Sequence, residues 1–178
     1  MSAKRTRAIV VINPSAPTGA VYPREVLEAI ARIAEKHHLV IFADEIYDQM
    51  TYDGAEFVPM ATLVHHTLCC TMSGLSTVYR ACGYRVGRDV FSGDIENARE
   101  YLSALELLSS LRLCSNVAGQ WAVQTALGGY QSVKELIRPG GRLYESRKAI
   151  VDAVARSKYL TLTVPRGALY AFVGVDTQ

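Results

Sequence analysis

The sequence predicts an α/β fold: a mostly parallel central sheet flanked by helices, followed by the start of a small α+β domain. Two short runs, residues 8–12 and 39–43, are apolar throughout, and a segment with helical spacing separates them. A strand–helix–strand unit whose strands are apolar at every position predicts a parallel pair, covered on both faces. From residue 142 the pattern changes to one long helical stretch and then two alternating runs around Pro165-Arg166-Gly167.

Taken in order, the first strand ends in a loop rich in Pro, Ser and Gly, residues 13–19. Over residues 24–37 apolar side chains fall at Val26, Leu27, Ile30, Ile33 and Ala34, which is helical spacing, and Pro23 suits the first turn. The second strand ends in Asp44. Third and fourth strands are expected over residues 67–72 and 84–91. Two helices follow. Residues 96–111 carry Tyr101, Leu102, Leu105, Leu108 and Leu111; residues 116–127 are Ala- and Gln-rich and close on Gly128-Gly129. Pro139-Gly140-Gly141 is a break, so a domain change falls near residues 138–142. Residues 142–157 form a last helix with Leu143, Ile150, Val151 and Val154 on its apolar face. Residues 160–164 and 168–173 then read as a hairpin, too little to stand alone as a domain.

An apolar share of 49% and a charged share of 20% over 178 residues describe a globular chain with a real core. The net charge of +2 is spread, and the densest basic run, residues 4–7, reads as a solvated, frayed start. This excludes an electrostatic footprint for nucleic acid. No apolar stretch approaches the roughly 20 residues of a membrane span. Cys69, Cys70, Cys82 and Cys114 form no C-x-x-C pair and read as reduced core residues of a cytoplasmic protein. The histidine pairs at 37–38 and 65–66 have no Cys or carboxylate at ligand spacing, so no metal site is expected. No dinucleotide fingerprint, Walker-type loop or nucleophile elbow is present.

In parallel sheets ligands gather at the carboxyl ends of strands. The loops at 13–19 and 44–47 share that edge. Asp44, at a strand end after four apolar residues, is either a turn former or a carboxylate in need of a cationic partner. Tyr47 points the same way if the turn is helical. Arg85 reads as lying inside an apolar strand, where it needs an anion; a phosphate or carboxylate suits its fork, as does an ion pair with Asp44, Glu45 or Asp89. Ser73, Ser76 and the Gly74 amide are neutral donors for the same anion.

Three groups of residues stand out: Asn13-Pro14-x-x-Pro17-Thr18-Gly19, Asp44-Glu45-Ile46-Tyr47, and Ser76-Thr77-x-Tyr79-Arg80-x-x-Gly83-Tyr84-Arg85-Val86-Gly87. Together they resemble the pyridoxal phosphate (PLP)-dependent class I/II aminotransferases of fold type I. The later runs 127–130, 139–145 and 165–170 are similar to bacterial alanine aminotransferase-type members. The resemblance implies that Asp44 pairs with the pyridine nitrogen of PLP, that Tyr47 bonds the ring hydroxyl, and that Arg85 with Ser76 holds the phosphate. It implies a cis Ala16–Pro17 bond beside the ring. The implied parent activity moves an amino group between an amino acid, alanine or glutamate, and a 2-oxo acid, in a homodimer.

Three positions depart from the family pattern. Ala16 occupies the place of an Asn that bonds the ring hydroxyl. Thr77 occupies the place of the Schiff-base lysine, and a threonine hydroxyl neither forms that link nor shuttles its proton at neutral pH. Arg88 stands where a tryptophan is common. By the same pattern residues 1–138 are the C-terminal part of the PLP-binding large domain, and residues 139–178 are the interdomain helix and an incomplete small domain. The segment lacks the earlier half of the large domain and the arginine for the substrate carboxylate; Arg166 belongs to the turn. Transaminase activity is therefore expected to be impaired or absent. The alternatives are a non-catalytic PLP-binding or dimerising remnant, or a decayed, truncated gene product.

Overall fold

The computed structural model describes residues 5–177; Lys4, part of the run read as a frayed start, lies outside them. The central sheet has four strands in the order β1 (Ala8–Ile12), β2 (Val40–Asp44), β3 (Leu68–Gly74), β4 (Gly87–Gly93). The first three run parallel, and β4 is antiparallel to β3. Ile12, Asp44 and Met72 stand side by side in register, so three carboxyl ends meet along one line.

Helix α1 (Arg24–Lys36) makes the crossover from β1 to β2. Glu25 in its first turn and Lys36 in its last complement the helix dipole. It buries Leu27, Ala31 and Ala34 against Val11, Ile41, Ala43 and Cys69 of the sheet. Val58, Met60 and Val64 complete this layer. Two expectations need correction. Val26 and Ile33 point away from the buried face and are exposed. Cover on both faces fails at β1, where Val11 is 4% exposed and its neighbour Val10 is 65% exposed.

The fourth strand begins later than the spacing predicts. Tyr84 closes a 3₁₀ turn, Cys82–Tyr84, and Arg85 follows it with φ 53°. Arg85 is thus not inside a strand. The Asn116 side-chain amide donates to the Tyr84 carbonyl, which takes that carbonyl out of any ladder. The chain must also turn sharply: a Cβ on Gly74 would sit 2.8 Å from the Val86 carbonyl oxygen.

Helices α2 (Arg99–Ser110) and α3 (Val117–Gly128) follow. Asn116 caps α3, accepting from the Gly119 amide at 3.0 Å. The apolar stripe expected on α2 is not a buried face: Leu108 and Leu111 are both exposed. Cys82 and Cys114 are exposed as well, not core residues; Cys69 and Cys70 are buried, on opposite faces of β3. After the short α4 (Val133–Ile137) comes α5 (Arg142–Ala155), and then β5 (Leu160–Leu162) pairs antiparallel with β6 (Val173–Val175). Among the described residues no helix is long and apolar enough to cross a membrane.

Residues 165–168 do not form a simple hairpin turn. They dock on the large sheet's loops. Arg166 N and Gly167 N both donate to the Gly19 carbonyl at 2.8 Å, and Ala168 N donates to Met50 O at 2.9 Å. The approach needs glycine: a Cβ on Gly167 would lie 2.7 Å from the Pro14 Cβ. Arg147 of α5 locks the contact. Its Nε donates to Pro165 O at 2.6 Å, its guanidinium pairs with Asp53, and it lies 4.9 Å from the centre of the Tyr52 ring. The Arg147 side chain is only 10% exposed, so its truncation leaves the Pro165 carbonyl and the Asp53 carboxylate without their partner. Arg147→Ala should therefore cost about 2–4 kcal/mol in urea unfolding. Arg99→Ala, which removes an exposed i,i+3 pair with Glu96, should cost no more than about 0.5 kcal/mol. Equal losses would contradict the latch.

Glu45 fastens the other side of the β2 end. It is buried, and its Oε1 accepts from Met60 N at 2.8 Å. Burial raises its carboxyl to about 7 from an ordinary 4.5; Asp48 and Asp44 push the same way, while the Met60 bond and Arg88 oppose. The folded chain thus holds a proton that the unfolded chain releases across that window. This group's contribution to stability is full below the unfolded value and falls as pH rises toward 7. Glu45→Gln keeps an acceptor for Met60 N and removes the titration. Between about pH 5 and about pH 8 the unaltered chain should lose up to about 3 kcal/mol more than the variant in urea unfolding. Parallel curves would contradict the assignment.

Candidate functional site

The aligned carboxyl ends of β1, β2 and β3 carry three loops, and each contributes to one wall. The first holds Asn13, which accepts Tyr22 N on its side-chain oxygen at 3.0 Å and is itself buried. Asn13–Pro14 and Ala16–Pro17 are both cis, the second as the sequence resemblance implies. Ala16 packs against a small apolar cluster of Tyr47, Met50, Val78, Val133 and Ala168.

The second loop leaves β2 at Asp44. Its Oδ1 accepts the Ile46 amide at 3.1 Å, so the carboxylate shapes its own turn. That turn brings Tyr47 inward, where it is 8% exposed. The Tyr47 hydroxyl lies 2.6 Å from the Tyr170 hydroxyl, with the rings edge to face at 5.7 Å. Burial first, with the Asp44 charge, holds Tyr47 well above the ordinary tyrosine range, so it remains a proton donor near neutrality.

The third loop follows β3. Leu75 and Val78 are buried anchors, and two backbone bonds, Arg80 N to Thr77 O and Ala81 N to Leu75 O, fold the segment between them. Ser76 and Thr77 are thereby displayed on a cavity of about 630 Å³. Tyr47, Arg80, Arg142 and Tyr170 line it with them. Arg80 also donates to Ser132 Oγ at 2.6 Å.

The structure thus brings Tyr47, Ser76 and Thr77 onto one cavity, with Ala16 behind Tyr47 and Asp44 near enough for its charge to reach the Tyr47 hydroxyl. Arg85 is exposed, off the cavity, and its Nη1 donates to Cys82 O at 3.0 Å. Sequence reasoning did not place Arg80, Arg142 or Tyr170 here. Arg80 lies within the motif and is the nearer signal; Tyr170 comes from a run 123 residues beyond Tyr47. Glu45, which the sequence offers within the 44–47 motif and as a partner for Arg85, instead accepts from Met60 N. Among the described residues no cluster of His, Cys, Asp and Glu could hold a metal ion.

The lining chemistry tests the cofactor that the resemblance implies. Hydroxyls from Ser76, Thr77, Tyr47 and Tyr170 and two guanidinium groups suit a ligand that carries a phosphate and a ring hydroxyl. Asp44 is within electrostatic reach of the same wall. No lysine lines the cavity, and position 77 holds a hydroxyl, so the donor set fits holding PLP and does not fit binding its aldehyde covalently.

Comparison with known proteins shows the family of the chain. The family model for aminotransferase class I and II matches residues 1–178. The chain is 50% identical over 174 residues to the glutamate-pyruvate aminotransferase AlaA of Escherichia coli K12, covering 98% of this chain and 43% of the relative. It is 44% identical over 175 residues to an alanine aminotransferase of Mycobacterium bovis, covering 98% and 41%. The solved structure of an aminotransferase from Escherichia coli superposes with a TM-score of 0.95 at 50% identity, over 98% of this chain and 43% of that one. An alanine aminotransferase from Pyrococcus furiosus gives 0.92 at 35% identity, over 99% and 44%. The chain therefore spans less than half the length of these relatives. On the whole-length match of the family model and the identity to its members, the chain belongs to the class I and II aminotransferase family.

Proposed function

We propose that this chain carries the carboxyl-edge wall of the PLP site of an alanine/glutamate aminotransferase and holds the cofactor without a covalent anchor. Class I and II aminotransferases depend on PLP. When bound, the cofactor supplies the electron sink through which an amino group passes between an amino acid and a 2-oxo acid. In this chain Asp44 is the partner for the ring nitrogen and Tyr47 for the ring hydroxyl. Ser76 and Arg80 hold the phosphate, with Arg142 as the second guanidinium on the lining; Arg85, on the exposed turn off the cavity, lies farther out. Ala16 leaves the ring hydroxyl one donor short. The substrates are an amino acid, alanine or glutamate, and a 2-oxo acid; the parent is a cytoplasmic homodimer in which residues 1–138 belong to the cofactor-binding unit and 139–178 to a smaller one.

The observation that carries this reading is Thr77 on the cavity beside Ser76 and Tyr47, with no amine on the lining. A threonine hydroxyl cannot shuttle the proton that amino-group transfer requires. The unaltered chain should bind PLP saturably by absorbance, release it on gel filtration, and show no mass increase after borohydride. Alanine–2-oxoglutarate turnover should not exceed that of free PLP. Thr77→Lys with Ala16→Asn should improve PLP retention at least about tenfold and place a borohydride-stable adduct in the peptide spanning position 77. Clear turnover by the unaltered chain, or no change of retention in the double variant, would sink the assignment.

A further inference from the structure

One side-chain contact on the cavity wall joins segments 123 residues apart: the hydroxyls of Tyr47 and Tyr170, 2.6 Å from each other. Each hydroxyl has one proton and two acceptor sites. Only one of the two protons lies between the oxygens, so the other is free to be donated elsewhere. Among the described residues the Tyr47 hydroxyl has no other hydrogen-bond partner, and both residues line the cavity with Ser76, Thr77 and Arg80.

Tyr170 is held by its backbone. The Ala168 carbonyl accepts the Tyr52 hydroxyl at 3.1 Å, and Ala168 N is tied to Met50 O. The Tyr170 carbonyl oxygen stands so close to Gly19 that a Cβ there would be 2.7 Å from it. Gly19 itself has φ 71°, so a side chain at this position would be strained as well as crowded. The Tyr170 ring is thereby held beside Tyr47, and either hydroxyl can donate to the other.

We propose that Tyr170 is a positioning residue for Tyr47: it donates to the Tyr47 oxygen and so directs the Tyr47 proton into the cavity, toward an oxygen of the bound ligand. The proposal rests on the reading of the cavity given under Proposed function. Donation into the Tyr47 oxygen polarises its O–H and strengthens the bond that Tyr47 makes next. The ring of Tyr170 supplies the edge contact, and the hydroxyl supplies the direction.

Tyr170→Phe separates the two, because it keeps the ring and removes the hydroxyl. Ring-carbon NMR of labelled tyrosine, with Tyr47 assigned through Tyr47→Phe, follows its ionisation with pH. PLP affinity is measured by absorbance on the same samples, and Tyr159→Phe, at an exposed position outside the cavity, is the control. In Tyr170→Phe, Tyr47 should ionise about one pH unit or more higher, because the donor that stabilises its phenolate is gone, and PLP should bind about three- to tenfold more weakly at an unchanged melting temperature. An unmoved or lowered Tyr47 titration overturns the proposal whether or not PLP binds. A shifted titration with equal PLP affinity overturns it too, since Tyr47 then does not donate to the ligand. A shifted titration with PLP binding to neither chain leaves the hydroxyl pair standing and removes the cofactor reading instead.

Discussion

The parallel register of Ile12, Asp44 and Met72 is the constraint on which everything else depends. A parallel pair needs a crossover, and α1 provides it by burying Leu27, Ala31 and Ala34 on the sheet. With the register fixed, the three strands end together and their loops must share one edge. A slip of one residue would move Asp44 to the other face of the sheet and carry the Tyr47 turn with it. Antiparallel β4 extends the edge: Gly87 pairs with Gly74, so the segment of Ser76 and Thr77 leaves and returns at the same place.

The second feature is how the last segment closes the cavity. Residues 165–168 reach the sheet through backbone bonds to Gly19 and Met50, and Arg147 holds them from behind. Backbone contacts of this kind tolerate many side chains but demand glycine at the close approaches, Gly19 and Gly167. The result is a wall with one side from strand-end loops and the other from a segment more than a hundred residues later. Tyr47 and Tyr170 meet where the two sides join. On the same wall guanidinium and hydroxyl groups converge, and no lysine lines it.

Much of the fold was legible because the governing patterns are local. The apolar runs of β1 and β2, the helical spacing between them and the breaks at residues 128–129 and 139–141 each follow from a few adjacent residues. The shared edge of the loops at 13–19 and 44–47 followed from strand direction alone. Arg85 was misplaced because its flanking residues, Tyr84 and Val86, look like strand; the Asn116 amide that captures the Tyr84 carbonyl lies 32 residues away. Leu108 and Leu111 have the periodicity of a buried face, yet nothing in the described chain covers them. Tyr170 and Arg142 at the cavity depend on the docking of 165–168, a long-range event with no local signature beyond Pro165-Arg166-Gly167. Thr77 could be read at once, because the signal there is the identity of a single residue within a motif.

The most direct test of the central claim, a cofactor wall that has kept its grip and lost its covalent anchor, is a crystal structure of this chain grown with PLP. The account predicts the ring in the cavity between Tyr47 and Ser76, its phosphate toward Arg80, and no continuous density to Thr77. A ring bound elsewhere, density joining the cofactor to any lysine of the chain, or an empty cavity at saturating PLP would contradict it.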